Sequence, residues 1–236
     1  PNNANAMAEL ARVLHRGGSS REEVVALLDA AIRAEPTDPR NRLLLIDYHL
    51  SRRDSKAALA AAQAADAAAP NSAEVLERLG RCQLASGNSQ QAVGTFRRLA
   101  QLRPKAPEPY FMMSEAYLAI NDAAAADTVL RQAVAAAPDN PAAHRELAFR
   151  LLRTKRNAEA LSVARDLQQR LPKRVDGHVL ESELHASLKD RAAAARALRA
   201  GLAVADDSSA AMRLYRLLVA DKNVKEAEAL ATDWTK

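Results

Sequence analysis

The sequence is poor in several residue types on which enzyme sites and membrane segments depend. Aromatic residues make up 3% of the 236 residues, there are seven glycines, and Cys82 is the one cysteine. A single cysteine excludes an internal disulfide, and so few glycines leave little room for a glycine-rich phosphate loop. No apolar run approaches the roughly 18 residues of a membrane span. The opening residues PNNAN are polar and show no signal peptide.

Proline, by contrast, recurs with a fixed period. Five prolines stand 34 residues apart, at Pro36, Pro70, Pro104, Pro138 and Pro172. A period of this size is typical of a solenoid, in which each unit packs on its neighbours. The units run over residues 5–38, 39–72, 73–106, 107–140, 141–174, 175–208 and 209–236. We predict a single solenoid domain over residues 1–236, and because the last unit is incomplete, we expect a fragment of a longer protein.

Each unit has the pattern of two helices. In residues 141–174 apolar side chains recur at helical spacing, first at His144, Leu147, Ala148 and Leu151, then at Ala160, Leu161, Ala164 and Leu167. Asn140 and Asn157 are predicted to cap the two helices, and Pro172 to end the second one. The sequence therefore predicts an all-α fold of about seven helix-turn-helix repeats.

The pattern within the unit resembles the tetratricopeptide (TPR) repeat. Residues 73–106 carry the large, small and proline positions of that family at Leu76, Leu79, Gly80, Ala92, Phe96 and Pro104. Repeat one departs from the pattern, because Ala11 and Arg12 replace the usual leucine and small residue. The resemblance implies a right-handed α–α superhelix whose first helices line the concave side.

The resemblance also implies a groove that binds a protein or peptide partner. Ligand contacts in TPR proteins come mostly from positions 2, 5, 9, 12 and 13 of each first helix. In this chain those positions include Arg40, Asp47, Glu77, Arg81, Phe111, Glu115, Arg145, Phe149 and Arg153. Exposed phenylalanines beside charges suit a peptide or a sugar ring. The alternative is that Phe111 and Phe149 pack against neighbouring first helices.

The formal net charge of +5 is unevenly distributed. Repeat five is the basic one, with Arg145, Arg150, Arg153, Lys155, Arg156, Arg165, Arg170, Lys173 and Arg174. One interpretation is a solvated charged surface that keeps the helices soluble. The other is a site for an acidic partner or an anionic polysaccharide. Nucleic acid is not expected, because no aromatic platform accompanies the basic residues.

Candidate chemistry is sparse. The chain has no HExxH, GxSxG or CxxC motif. Its five histidines, His15, His49, His144, His178 and His185, fall at packing positions of the repeat. A lone cysteine without a histidine nearby in sequence is more often structural than nucleophilic. The sequence therefore predicts no enzyme, no catalytic residue, no cofactor and no metal.

The C-terminal stretch Ala197–Trp234 resembles the TPR-repeat lipoproteins of the PEP-CTERM/exosortase system. That resemblance implies a periplasmic scaffold in exopolysaccharide production or protein sorting, with a lipid anchor outside this piece. Trp234 is then expected to cover a further repeat, or else to be exposed. Two alternatives stay open. One is a cytoplasmic adaptor for an assembly or secretion machine, and the other is the substrate-recruiting arm of a larger enzyme.

Overall fold

The computed structural model describes residues 3–234, which form helices joined by short turns. The helices are α1 (Ala4–Arg16), α2 (Arg21–Ala34), α3 (Pro39–Ser51), α4 (Ser55–Ala68), α5 (Ala73–Ala85), α6 (Ser89–Leu102), α7 (Glu108–Ala119), α8 (Ala123–Ala136), α9 (Pro141–Arg153), α10 (Asn157–Arg170), α11 (Asp176–Ser187), α12 (Arg191–Leu202), α13 (Ser208–Ala220) and α14 (Val224–Trp234). The predicted helix-turn-helix repeats are confirmed. Within residues 3–234, no helix is long and apolar enough to cross a membrane.

The chain divides into two compact units, which meet inside α8. Unit 1 ends at Ala126, and unit 2 begins at Asp127. Odd-numbered helices pack on the helix that follows them, as α1 does on α2, α3 on α4 and α5 on α6 in unit 1, and α9 on α10, α11 on α12 and α13 on α14 in unit 2. One solenoid domain through all seven repeats stays a prediction. The side chain of Trp234 lies outside the described residues.

The two helix caps predicted in repeat five have different outcomes. The Asn140 side chain accepts a hydrogen bond of 2.8 Å from Ala142 N, so it caps α9 as predicted. The prediction for Asn157 is wrong, because Arg156 is the cap residue and Asn157 is the first residue of α10. The turn closes at Lys155, whose φ is +61°. Arg156 O therefore already accepts the first helical bond, from Ala160 N.

Every turn between the two helices of a repeat contains one residue in the left-handed region. These residues are Gly18, Arg53, Gly87, Asn121, Lys155, Lys189 and Lys222. Glycine adopts this conformation freely, whereas a residue with a Cβ atom is strained there. In repeat seven the left-handed residue is Lys222, in a turn of three residues (221–223) as long as those of repeats two to six.

The core of unit 1 depends on the close packing of α5 against α6 in repeat three. The ring of Phe96 is fully buried against α5. A Cβ atom at Gly80 would lie 2.2 Å from Cε1 of that ring. Because Gly80 has no side chain, the fully buried Phe96 ring fits between the two helices. A fully buried side chain of this kind contributes about 1.5–3 kcal/mol relative to an exposed one.

The core of unit 2 is closed by leucine and alanine. Leu151, Leu167, Leu184, Ala160 and Ala164 have no measurable exposure. At Gly177, an added Cβ atom would lie 2.6 Å from the backbone nitrogen of Gln168. Here the backbone of α11 at Gly177 lies directly against Gln168 of α10. Only glycine leaves room for this approach. The small residues thus hold the first helices of unit 2 close to the second helices.

Candidate functional site

Three successive first helices of unit 2 line a groove of about 330 Å³. The lining comes from α9, α11 and α13, together with residues that precede α11 and α13. Its apolar part consists of Pro141, Ala142, Val175, Val179 and Leu180, and its polar part of Arg145, Asp176, Glu183, Asp207, Ser209 and Arg213. We call this surface the unit 2 groove. An apolar floor with a charged rim is the usual composition of a peptide-binding surface.

Glu183 stands at the centre of the charged rim. Arg213 Nη1 donates a hydrogen bond of 2.6 Å to Glu183 Oε1. Arg145 Nη2 lies 3.5 Å from Glu183 Oε2. The Glu183 side chain is 16% exposed, so water screens these pairs less than it would at an open surface. These three charged side chains link α9, α11 and α13 along the groove.

Arg145 has a second contact inside repeat five. Its guanidinium carbon lies 5.3 Å from the centre of the Phe149 ring, within range of a cation–π interaction. Phe149 is half-buried. The structure therefore brings the predicted residues Arg145 and Phe149 together, with the arginine over one face of the ring.

In unit 1, three other predicted residues form one charged chain. Arg78 Nε donates a hydrogen bond of 2.8 Å to Asp47 Oδ1, which links α5 to α3. Arg78 Nη1 also lies 3.7 Å from Glu77 Oε1, and Arg81 Nη2 lies 3.1 Å from that same oxygen. The hydrogen bond with Asp47 raises the pKa of Arg78. Asp47, Glu77 and Arg81 are thus brought together by Arg78, and the four charges cancel.

The remaining predicted residues are not part of these clusters. Arg40 pairs locally with Asp38, its Nε donating over 2.8 Å to Oδ2, and this hydrogen bond lowers the pKa of Asp38. Phe111 is half-buried in unit 1, and Glu115 is exposed on the same helix. Arg153 is exposed on the last turn of α9. That Phe111 and Phe149 face one groove stays a prediction.

Of the residues that line the unit 2 groove, sequence reasoning selected only Arg145, and in unit 1 it missed Arg78. Val179, Glu183 and Arg213 occupy the fifth and ninth positions of repeats six and seven. The position rule that selected Arg145 and Phe149 would have found all three if it had been continued past repeat five. Arg78 stands at the sixth position, outside that rule, so only the structure shows it.

The basic residues of repeat five are largely paired with carboxylates. The distances are 2.7 Å for Arg150 to Asp127, 2.8 Å for Arg156 to Asp127, 3.8 Å for Arg165 to Glu181, 2.7 Å for Arg170 to Asp166 and 2.8 Å for Arg174 to Asp176. Arg145 adds its contact with Glu183. This pairing is the one expected of a solvated charged surface, since most of these cations already have a counter-charge.

The histidines and the cysteine occupy mostly packing sites. His49 and His144 are buried, and His178 and His185 are half-buried, whereas His15 is exposed and meets the edge of the Tyr48 ring. Among residues 3–234, no three His, Cys, Asp or Glu side chains are grouped so as to hold a metal. Cys82 is fully buried, and burial raises the pKa of its thiol to about 11. A thiol of this kind is a poor nucleophile.

Two sequence models of the tetratricopeptide repeat match the chain, one over residues 43–107 and one over residues 83–148. No curated protein matches the sequence.

Solved structures share the fold at low identity. MamA 41-end from Desulfovibrio magneticus RS-1 is 19% identical with a TM-score of 0.55, and the match covers 70% of this chain and 93% of that one. Pseudomonas aeruginosa pilF is 18% identical with a TM-score of 0.57, covering 96% of each chain. A tetratricopeptide repeat protein from Parabacteroides merdae is 15% identical with a TM-score of 0.55, covering 98% of this chain and 91% of that one. These likenesses concern the fold alone.

Proposed function

We propose that this chain, in which tetratricopeptide repeat models match residues 43–148, is a non-enzymatic scaffold that binds a protein or peptide partner along its first helices. The observation that carries this proposal is the unit 2 groove of about 330 Å³. Its apolar floor and charged rim lie on three helices held in place by Glu183. A site on rigid helices is ready to bind without much ordering, which favours affinity.

The groove suits an extended peptide of mixed character. An apolar side chain of the peptide would lie on Val179 and Leu180, which are half-buried and buried. Polar groups of the peptide would meet Arg145 and Arg213, whose side chains remain 54% and 44% exposed. Arginine next to an aromatic ring is a frequent source of binding energy at interfaces. Arg145 lines the groove and contacts Phe149 beside it, so the partner is expected to reach this pair at one side of the groove.

Photo-crosslinking tests this proposal in the full-length protein within its own host. A photoreactive residue at Phe149 should give discrete protein adducts that mass spectrometry identifies. The same residue at Arg196, which is exposed on α12 away from the groove, is the matched control. Equal adducts at both positions, or none at Phe149, would reject the groove as a protein-binding site. A heterogeneous carbohydrate product would instead support a polysaccharide ligand.

Once a partner is known, paired substitutions measure the contribution of the groove. Arg145→Ala with Arg213→Ala should weaken binding at least about tenfold, since central arginines at interfaces often exceed 1 kcal/mol. Helicity and the unfolding midpoint, followed by circular dichroism, show whether the fold is kept. Phe111→Ala together with Phe149→Ala tests the two phenylalanines. If affinity is unchanged in both double variants, the partner binds elsewhere.

We further propose that this scaffold acts in the bacterial envelope, in exopolysaccharide production or protein sorting, as a periplasmic protein tethered by a lipid. The support is the resemblance of residues 197–234 to PEP-CTERM-associated lipoproteins. Fractionation of the full-length protein tests this placement. Recovery in the membrane fraction, with protease access from the periplasmic side, is the expected result. Recovery in the cytosol would favour the adaptor alternative.

A further inference from the structure

A second depression, of about 300 Å³, lies beside the unit 2 groove between α11, α12 and α13. We call it the arginine cleft. Its apolar lining consists of Ala186, Leu198, Leu217 and Ala220. Glu183 and Arg213 line both the groove and the cleft, so the two surfaces meet at this ion pair.

The two surfaces follow one another in the same direction along two helices. On α13, Arg213 lines the groove, and Arg216, one turn further on, lines the cleft. On α11, Val179 lines the groove and Ala186 lines the cleft. An extended chain bound between α11 and α13 would therefore pass from the groove into the cleft.

The charges that line the two surfaces are of opposite balance. Three carboxylates and two arginines line the groove, whereas three arginines and one carboxylate line the cleft. The arginines of the cleft are Arg191, Arg213 and Arg216, and its carboxylate is Glu183. Because complementary charges fix the register of a bound partner, a ligand that spans both surfaces should be acidic at the cleft end.

Within the described part of the chain, Arg216 is the arginine of the cleft that has no ion-pair partner. Arg213 Nη1 lies 2.6 Å from Glu183 Oε1, and Arg191 Nη1 lies 3.1 Å from Asp221 Oδ1. Arg216 is exposed at the surface of α13. One carboxylate from a ligand would therefore balance the cleft, and its place is beside Arg216.

The opposite charge stands at the other end of the groove. Asp207 caps α13 by accepting a hydrogen bond of 2.7 Å from Ala210 N. Among the described residues it has no cationic partner, so a basic residue of a ligand pairs best here. Arg216 follows Asp207 by nine residues, a rise of about 13 Å along the helix. An extended peptide covers that distance in about four residues.

We propose that the partner segment carries a basic residue near Asp207 and an acidic residue at Arg216, about four positions apart, with an apolar residue between them over Val179. This inference rests on the proposed function of the unit 2 groove. It adds the charge pattern of the peptide and the position of each charge on α13.

A peptide library displayed on phage tests the charge pattern with the full chain as bait. Random dodecapeptides are selected on the parent and depleted on Arg145→Ala with Arg213→Ala. The survivors should share an apolar position between a basic and an acidic one, with the two charges about three to five residues apart. If no peptide survives the depletion, the proposed function of the groove fails, and this inference fails with it.

Arg216→Glu separates the charge pattern from the groove itself. Selection on this variant should replace the acidic position by a basic one and keep the apolar position. Arg196→Glu, the same change at an exposed site on α12, is the matched control and should leave the acidic position in place. Survivors without an acidic position, or with one that Arg216→Glu leaves unchanged, would overturn this inference while the groove proposal stands.

A synthetic peptide from the selection, blocked at both ends, measures the size of the effect. Replacing its acidic residue by the corresponding amide should weaken binding to the parent about threefold to fivefold, as for a partly exposed ion pair. The same replacement should have no effect on binding to Arg216→Gln, whose fold circular dichroism verifies. Equal weakening on both proteins would place the acidic residue away from Arg216 and reject the proposed register.

Discussion

Unit 1 and unit 2 use glycine for different purposes. Unit 1 contains five of the seven glycines, and two of them, Gly18 and Gly87, are the left-handed residues of its turns. Unit 2 contains only Gly177 and Gly201, both at close contacts between helices. Its left-handed turn residues are lysines. Unit 2 therefore keeps glycine for tight packing and accepts strained turns, whereas unit 1 relieves strain in two of its turns.

This difference implies that identical substitutions will have unlike effects in the two units. A glycine at a backbone contact has no substitute, because the opposing atoms cannot rotate away. For a glycine packed beneath an aromatic ring, the stability lost on substitution depends on whether the ring can move. A glycine in a turn can be replaced at moderate cost in stability. Substitutions at Gly177, at Gly80 and at the left-handed turn residues separate these three cases.

The largest effect is expected for Gly177→Ala in unit 2. Its Cβ atom would meet the backbone nitrogen of Gln168 at 2.6 Å, so α10 and α11 must move apart. We expect a loss of about 3 kcal/mol in the free energy of unfolding, at the upper end for overpacking. Urea unfolding measures the loss, and hydrogen exchange should locate it in unit 2. Gly94→Ala is the control, since nothing lies within 4 Å of its added Cβ atom and alanine favours the helix.

A smaller loss, of about 2 kcal/mol, is expected for Gly80→Ala in unit 1, because the obstacle is the Phe96 ring and not backbone. Phe96→Leu replaces that ring with a smaller aliphatic side chain and should recover some of the loss in the double variant. The coupling free energy from the double-mutant cycle is the measurement. Gln168→Ala should give no comparable recovery for Gly177→Ala. Equal recovery in both cycles would remove the distinction between the two glycines.

The turns should respond in opposite directions in the two units. Lys155→Gly, Lys189→Gly and Lys222→Gly should each stabilise unit 2 by up to about 1 kcal/mol, since glycine relieves the left-handed strain but gains freedom in the unfolded chain. Gly87→Lys should destabilise unit 1 by a similar amount. Thermal unfolding of the four single variants checks the signs. A stability loss in the lysine-to-glycine series would show that contacts of the lysines outweigh backbone strain.

The smallest expected effect is on the pH dependence of stability in unit 1. His49 of unit 1 is buried, and its Nδ1 has no hydrogen-bond partner. Burial, together with the charge of Arg21, lowers its pKa, against the opposite influence of Asp54 and Asp29. Because the unfolded chain then binds the proton more readily, stability present above about pH 6.5 should decline as pH falls toward the lowered pKa. Urea unfolding between pH 7.5 and 5 measures this decline, which His49→Gln should reduce. An unaltered slope in that variant would assign the decline to other groups.

The fold was largely predictable because its signals are local and repeated. The 34-residue proline period fixed the repeats, and Asn140 followed by Pro141 fixed the start of α9. The predicted cap Asn157 lies one residue after the observed cap Arg156, since nothing in the sequence marks Lys155 as left-handed. Lysine rarely adopts that conformation, so only the folded turn reveals it.

The candidate surfaces were predictable in part. The position rule found Arg145 and Phe149, and the structure joins them at 5.3 Å. It did not reveal Arg78 as the residue that links Asp47 to Glu77, because pairs of long side chains depend on rotamers.

The ion pairs between neighbouring repeats have a consequence for chemical modification. Those found among residues 3–234, such as Arg78 with Asp47, Arg98 with Asp66 and Arg213 with Glu183, are formed by arginine. The chain also has eight lysines, more than its formal charge excess of +5. Acylation of the lysines would therefore reverse the sign of the net charge while these arginine pairs persist. The net charge, and with it the electrophoretic mobility, of this protein can therefore change while the ion pairs between its repeats stay intact.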